Sequence, residues 1–130
     1  MVARALLSAT LLWIASGCGL DAELVVELRT LASEDPYASL QTLHISLERD
    51  RADNVVAEQS FAAADRMSLE PVEPGGVVRI LVRGYAAPTL APALATGRSA
   101  WVAPAPGATT TVGVCFCLTD TVDAGLCRCD

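Results

Sequence analysis

Residues 109–118 read TTTVGVCFCL, a run in which Val112, Val114, Phe116 and Leu118 alternate with small, polar or sulfur-bearing neighbours. Successive side chains on a strand point to opposite faces, so this period predicts a half-buried strand whose inward row is those four residues. Its β-branched residues agree with that reading. The same alternation recurs upstream. From Glu23 to Leu31 the apolar set Leu24, Val26 and Leu28 faces away from Glu23, Glu27 and Arg29, and from Leu40 to Arg49 the set Leu43, Ile45 and Leu47 opposes Thr42, His44, Ser46 and Glu48. In Val77 to Gly84, directly after the turn signal Pro74-Gly75-Gly76, Val78, Ile80 and Val82 point inward and Arg79 and Arg83 outward. Each of these strands is expected to have one wet face.

Weaker strands are expected at Val55 to Phe61, Met67 to Val72 and Leu94 to Val102, separated by Asp35-Pro36, Asp50 to Asn54, Ala86 to Pro92 and Pro104 to Gly107. Counted together, these give ~7 strands with turns at intervals of ~10 residues, the pattern of an all-β fold built as a single antiparallel β-sandwich. A short helix competes in one place, because Ala57, Phe61, Ala64 and Met67 also fall at helical spacing.

At 130 residues, 13.5 kDa and 52% apolar content, the chain can build one core and is too apolar to be disordered. That size excludes a multidomain enzyme. The nine basic residues are all Arg and face fifteen acidic ones, for a formal net charge of −6. Non-specific nucleic-acid binding needs a basic face and is not expected.

Residues 1–17 contain twelve apolar residues and one charge, Arg4, with a greasy run from Ala5 to Ile14 followed by Ala15, Ser16 and Gly17. This is the layout of a secretory signal helix, and the run is about half of the ~20 residues a membrane span requires. The string Ala15-Ser16-Gly17-Cys18 resembles the lipobox of bacterial lipoproteins, although family members usually have Leu where Ala15 stands. The resemblance implies cleavage before Cys18, a diacylglyceryl thioether on that sulfur, and attachment to a membrane by its acyl (palmitate-type) chains. Gly19 rather than Asp follows Cys18. In the family that favours the outer membrane over the inner, with the domain facing either the periplasm or the cell surface. The expected organisation is therefore a signal peptide at 1–17, a lipidated tether at 18–21 and a β-sandwich domain at 22–130.

From Pro74 on, the order of a Gly-led strand, Gly84-Tyr85, Leu94-Ala95-Thr96-Gly97 and Pro106-Gly107 before a Thr/Val strand is similar to the second half of Ig-like or prealbumin-like bacterial lipoprotein domains. That likeness implies an architecture and no activity.

Cys115, Cys117, Cys127 and Cys129 form C-x-C-x9-C-x-C. On the last strand the first two lie on the face opposite Val114 and Phe116. The pairs 115/129 and 117/127 share a centre at position 122, so a hairpin would set them opposite one another. Cα atoms there would be ~4.5 Å apart, inside the ~4.4–6.8 Å that a disulfide accepts. Export to an oxidising compartment favours disulfides as well, with connectivity left open among three possibilities. Such bridges would clamp the acidic tail to the last strand and could cover a sheet edge. The alternative is a thiolate metal or redox site on the same four cysteines. Against metal, sulfurs around tetrahedral zinc lie ~3.8 Å apart, whereas residues i and i+2 on a strand are ~6.7 Å apart.

His44 is the sole histidine. It shares a strand face with Ser46 and Glu48, too widely spaced for a nucleophile and its base, so no catalysis is expected. The acidic stretch Asp120 to Asp123 lacks the ligand spacing of a calcium loop. No Gly-rich phosphate loop follows a strand, and no cofactor is expected. Trp101 and Tyr85 would form a sugar-stacking platform only if exposed, and a packed Trp is the commoner case. Arg79 and Arg83 would serve an acidic partner unless they pair with neighbouring acids. Taken together, the sequence describes a membrane-anchored, non-enzymatic interaction or structural module of the cell envelope, with a protein partner of unknown identity.

Overall fold

The computed structural model describes residues 20–31, 35–51, 54–86, 92–119, 127 and 129. Residues 1–17, read above as a signal peptide, Cys18, and the acidic stretch Asp120 to Asp123 lie outside the described residues. Seven strands are present among the described residues: β1 (Glu23–Thr30), β2 (Thr42–Arg49), β3 (Val55–Ala62), β4 (Arg66–Ser68), β5 (Val78–Tyr85), β6 (Ala95–Arg98) and β7 (Thr109–Leu118). A 3-10 turn, Pro36–Ser39, precedes β2.

The strands run in the order β3-β2-β5-β6-β7-β1-β4. β6 meets β7 only at Ala95↔Leu118 and Thr96↔Cys117, while the rest of β7 accompanies β1 from Glu23↔Thr109 to Thr30↔Phe116. The sheet therefore turns over at the β6/β7 junction, and its two halves, β3-β2-β5-β6 and β7-β1-β4, close on one core. Gly97 allows that junction. A Cβ there would come within 2.1 Å of the Cys115 carbonyl oxygen, which no side chain tolerates.

The core is built from the predicted inward rows: Leu24, Val26 and Leu28 of β1; Leu43, Ile45 and Leu47 of β2; Val78, Ile80 and Val82 of β5; and Val112, Val114 and Phe116 of β7. Each fully buried aliphatic or aromatic side chain of this kind contributes ~1.5–3 kcal/mol, so the alternation itself selects the fold. The sandwich is all-β as expected, with one refinement. The β1/β7 pair is parallel, so the sheet is mixed. Alternation reports which face is buried and carries no information on strand direction.

Other expectations are adjusted. The segment from Ala57 is strand rather than helix, since pairing of β3 with β2 from Thr42↔Ala62 to Glu48↔Val55 satisfies its backbone. The stretches ending at Val72 and Val102 shorten to β4 and β6, with both valines held by single bridges, Ala22↔Val72 and Val78↔Val102. The connection from β4 to β5 is pinned by Arg49, whose guanidinium donates hydrogen bonds to the Glu73 and Gly75 carbonyls. β7 lies between β6 and β1, and the sheet edges are β3 and β4. Cys127 and Cys129, the described residues of the C-terminal tail, are bonded to β7, which pairs with β1 along most of its length and with β6 only at its end.

Candidate functional site

Two places concentrate chemistry. The first is the outer face of β7. Val112, Val114 and Phe116 are buried in the core, so Cys115 and Cys117 project to the other side. There Cys115 is bonded to Cys129 and Cys117 to Cys127, with Cα separations of 5.5 and 5.8 Å. This is the pairing implied by the shared centre of the two pairs. Cys127 and Cys129 belong to no strand, and the sulfur bonds tie these two residues to β7.

The bridges differ in access. Cys117 and Cys127 are buried, whereas Cys115 and Cys129 are partly exposed. Their sulfurs touch, Cys115 Sγ lying 3.8 Å from Cys117 Sγ. Strand spacing therefore does not keep these sulfurs too far apart for a metal. Cα atoms two residues apart are far from each other, but the side chains lean together. The Sγ atoms of Cys115, Cys117 and Cys127 all lie within 4.8 Å of one another. A sulfur in a disulfide is not a thiolate, however, so a metal reading applies only to the reduced chain. Cys129 Sγ also sits 3.2 Å from the Arg29 carbonyl oxygen. The Arg29 guanidinium passes over Gly113, its carbon 3.7 Å from where a Cβ of that glycine would be.

The second place is the outer face of β3-β2-β5-β6. Sequence reasoning grouped His44 with Ser46 and Glu48, on a wet face. In the structure Ser46 and Glu48 are buried, and the neighbours of His44 come from β3. Its Nδ1 is 3.4 Å from Ser60 Oγ and its Nε2 is 3.7 Å from Glu58 Oε2. Cross-strand pairing, His44↔Ser60 and Ser46↔Glu58, brings them together. The order of groups resembles a hydrolytic triad, but both distances exceed the ~2.6–3.2 Å of a working nucleophile and base. Ser60 and Glu58 stand exposed.

Glu48 is covered because Arg79 lies over it. Arg79 Nε donates to Glu48 Oε1 at 3.0 Å, with the two side chains only 13% and 7% exposed respectively. The guanidinium carbon stacks 4.4 Å from the Trp101 ring centroid. Trp101 keeps 36% of its surface exposed while Tyr85 is buried. The two-ring platform is therefore not formed, and one face of Trp101 is occupied by Arg79. Arg79 pairs with an acid, whereas Arg83 and Arg98 are exposed on this face.

Near the end of β7, the Tyr37 ring packs tilted against Phe116 with centroids 6.0 Å apart. Its hydroxyl is buried without a hydrogen-bond partner among the described residues. Burial first, then the negative field of Asp65 and Asp35, pushes its pKa up to about 12. An open cavity of about 390 Å³ lies beside it, lined by Tyr37, Leu40, Ala63, Ala64 and Asp65. Sequence reasoning missed Tyr37, since nothing local to Pro36-Tyr37 signals that β7 passes beneath it.

No protein-family model matches the chain, and no curated protein does. Among solved structures it is similar to a DUF1812 protein of Bacteroides thetaiotaomicron, described as a candidate polysaccharide-binding protein, at 12% identity and a TM-score of 0.44, covering 72% of this chain and 47% of that one. It is also similar to the pilus-presented adhesin Cpa, at 12% identity and a TM-score of 0.38, covering 76% of this chain and 28% of the adhesin. A second crystal form of that adhesin gives 11% identity and the same score and coverage. The chain thus spans less than half the length of these structures.

Proposed function

We propose that the chain is exported, processed at Cys18 and held at the cell envelope by a lipid on that sulfur, where its β-sandwich acts as a non-enzymatic interaction module. The observation that carries this reading is the pair of disulfides, Cys115–Cys129 and Cys117–Cys127. Bonds of this kind form and persist in oxidising compartments. They agree with the signal layout of residues 1–17 and leave Cys18 as the one cysteine outside the two pairs. Among the described residues no helix is long and apolar enough to cross a membrane, so the attachment in this reading rests on the acyl chains. Each buried CH₂ contributes ~0.8 kcal/mol, and more than one chain gives stable anchoring.

The domain would sit close to its anchor. Asp21 already accepts a hydrogen bond from the Gly107 amide, and Ala22 pairs with Val72. Only Gly19 and Leu20 separate these tied residues from Cys18. The surface offered to a partner is the β3-β2-β5-β6 face, with Arg83, Arg98, His44 and the free side of Trp101.

Phase partitioning of the full chain expressed in a bacterial host tests the anchoring. Wild-type protein is expected in the detergent phase and Cys18→Ser in the aqueous phase. Equal partitioning of the two would refute the lipid anchor.

A further inference from the structure

An external thiol approaching the C-terminal bridges meets Cys115–Cys129 first, because Cys117 and Cys127 are buried beneath it. Opening that outer bond leaves Cys115 as a thiolate 3.8 Å from Cys117 Sγ, one of the two atoms of the inner bond. Arg29 stands opposite Cys115 in the parallel register, and its guanidinium lies over Gly113 on the same face. The thiolate is the attacking species in such an exchange. One sulfur is thus partly accessible and in contact with a second bond that is buried.

We propose that the stacked bridges are a dithiol–disulfide exchange site, in which Cys115 passes electrons from a dithiol reductant to the buried Cys117–Cys127 bond. One thiolate of the dithiol attacks Cys129 Sγ. A new S–S bond forms there, the bond to Cys115 breaks, and Cys115 leaves as thiolate. The second thiol of the reductant, losing its proton to water, closes on the first. Cys129 is released as thiolate, and the reductant departs as a disulfide, oxidised by two electrons. The three sulfurs lie within 4.8 Å of one another and out of line, so the Cys115 side chain, freed from Cys129, first rotates to the side of Cys117 Sγ opposite Cys127. It then attacks Cys117 Sγ: the 115–117 bond forms, the 117–127 bond breaks, and Cys127 leaves as thiolate and takes a proton from water. A second dithiol opens 115–117 in the same way, for four electrons in all.

The intermediate is poised to be transient. Residues i and i+2 on a strand are ~6.7 Å apart at Cα, at the upper limit of ~6.8 Å for a disulfide, so the 115–117 bond is readily reopened. This exchange does not depend on how the chain is anchored.

The test compares two variants that both lack the outer bridge, Cys129→Ser and the double variant Cys115→Ser/Cys129→Ser, so that loosening of the tail is common to both. Each is exposed to dithiothreitol, quenched with acid at intervals and alkylated, and the appearance of alkylated Cys127 is followed by peptide mass mapping. The inner bond is expected to open roughly tenfold faster in Cys129→Ser than in the double variant, with a 115–117 linked peptide present, because an adjacent thiolate outruns one that must reach a buried bond from solvent. Equal rates, or a faster double variant, would overturn the proposal.

Discussion

Glu48 and Arg79 are a nearly buried ion pair capped by an aromatic ring, and that arrangement decides how substitution there acts. Taking one partner away leaves the other charge in a place water scarcely reaches, which costs ~3–5 kcal/mol where burial is complete. With side chains 7% and 13% exposed, Glu48→Ala is expected to lower unfolding free energy by about 3 kcal/mol on that scale. It should also move the emission of Trp101, which carries the Arg79 stack. Chemical denaturation followed by tryptophan fluorescence reads both. Tyr37 presents a neutral case, a hydroxyl buried without a partner among the described residues. Tyr37→Phe removes an unsatisfied group while keeping the ring on Phe116, so a gain of about 1 kcal/mol is expected. The same substitution bears on pH. The folded pKa of Tyr37 is raised from 10.0 to about 12, so the unfolded chain gives up this proton first as pH rises. Stability linked to Tyr37 is complete below pH 10 and is lost as pH climbs toward 12. Melting curves across that window should fall less steeply for Tyr37→Phe than for wild type.

At the scale of elements, the last strand does the most: it pairs with β1 and β6, supplies three core residues and carries the sulfur site. Each disulfide closes a short loop, of sequence separation 14 for Cys115–Cys129 and 10 for Cys117–Cys127. The chain-entropy estimate for such loops is about 2–3 kcal/mol. Replacing Cys117 and Cys127 together by Ser leaves the surrounding loop closed by Cys115–Cys129, so the entropy lost is smaller than that, and a cost of about 2–3 kcal/mol is expected chiefly from two hydroxyls placed in a buried site. The melting temperature is expected to drop by about 10 °C or more in a domain of this size. β7 was legible in full, from Thr109 to Leu118, because one row of large side chains repeats without a break and the cysteines fall on the other row. The sulfur pairing was legible for the same reason, as strand geometry converts sequence symmetry into opposition. The burial of Ser46 and Glu48 was not. For Glu48 it depends on Arg79, which reaches it from β5 and stacks on Trp101 from the segment after β6. Nor was the company of His44, which is set by the β2/β3 register: an offset of one residue would have faced it with different side chains. The parallel β1/β7 pair escaped because it joins the first strand to the last, and no local signal spans that distance.

The molecule as a whole has two ends, set by β1. The proposed anchor lies just before Glu23, while Arg29, beside the sulfur site, lies six residues further along, ~20 Å at the rise of a strand. A lipid on Cys18 would therefore hold the sulfur site away from the bilayer and leave the outer bridge open to a reductant from the aqueous side. The account joins one lipidated sulfur to four sulfurs in bonds, and a single measurement examines both. The processed chain is isolated from membranes, alkylated under denaturing conditions without reductant, and weighed intact. It is expected to begin at Cys18, to carry the mass of a diacylglyceryl group on that residue, and to bear no alkyl group on Cys115, Cys117, Cys127 or Cys129. A chain recovered without acyl mass on its first residue, or with all four of those cysteines alkylated, would contradict it.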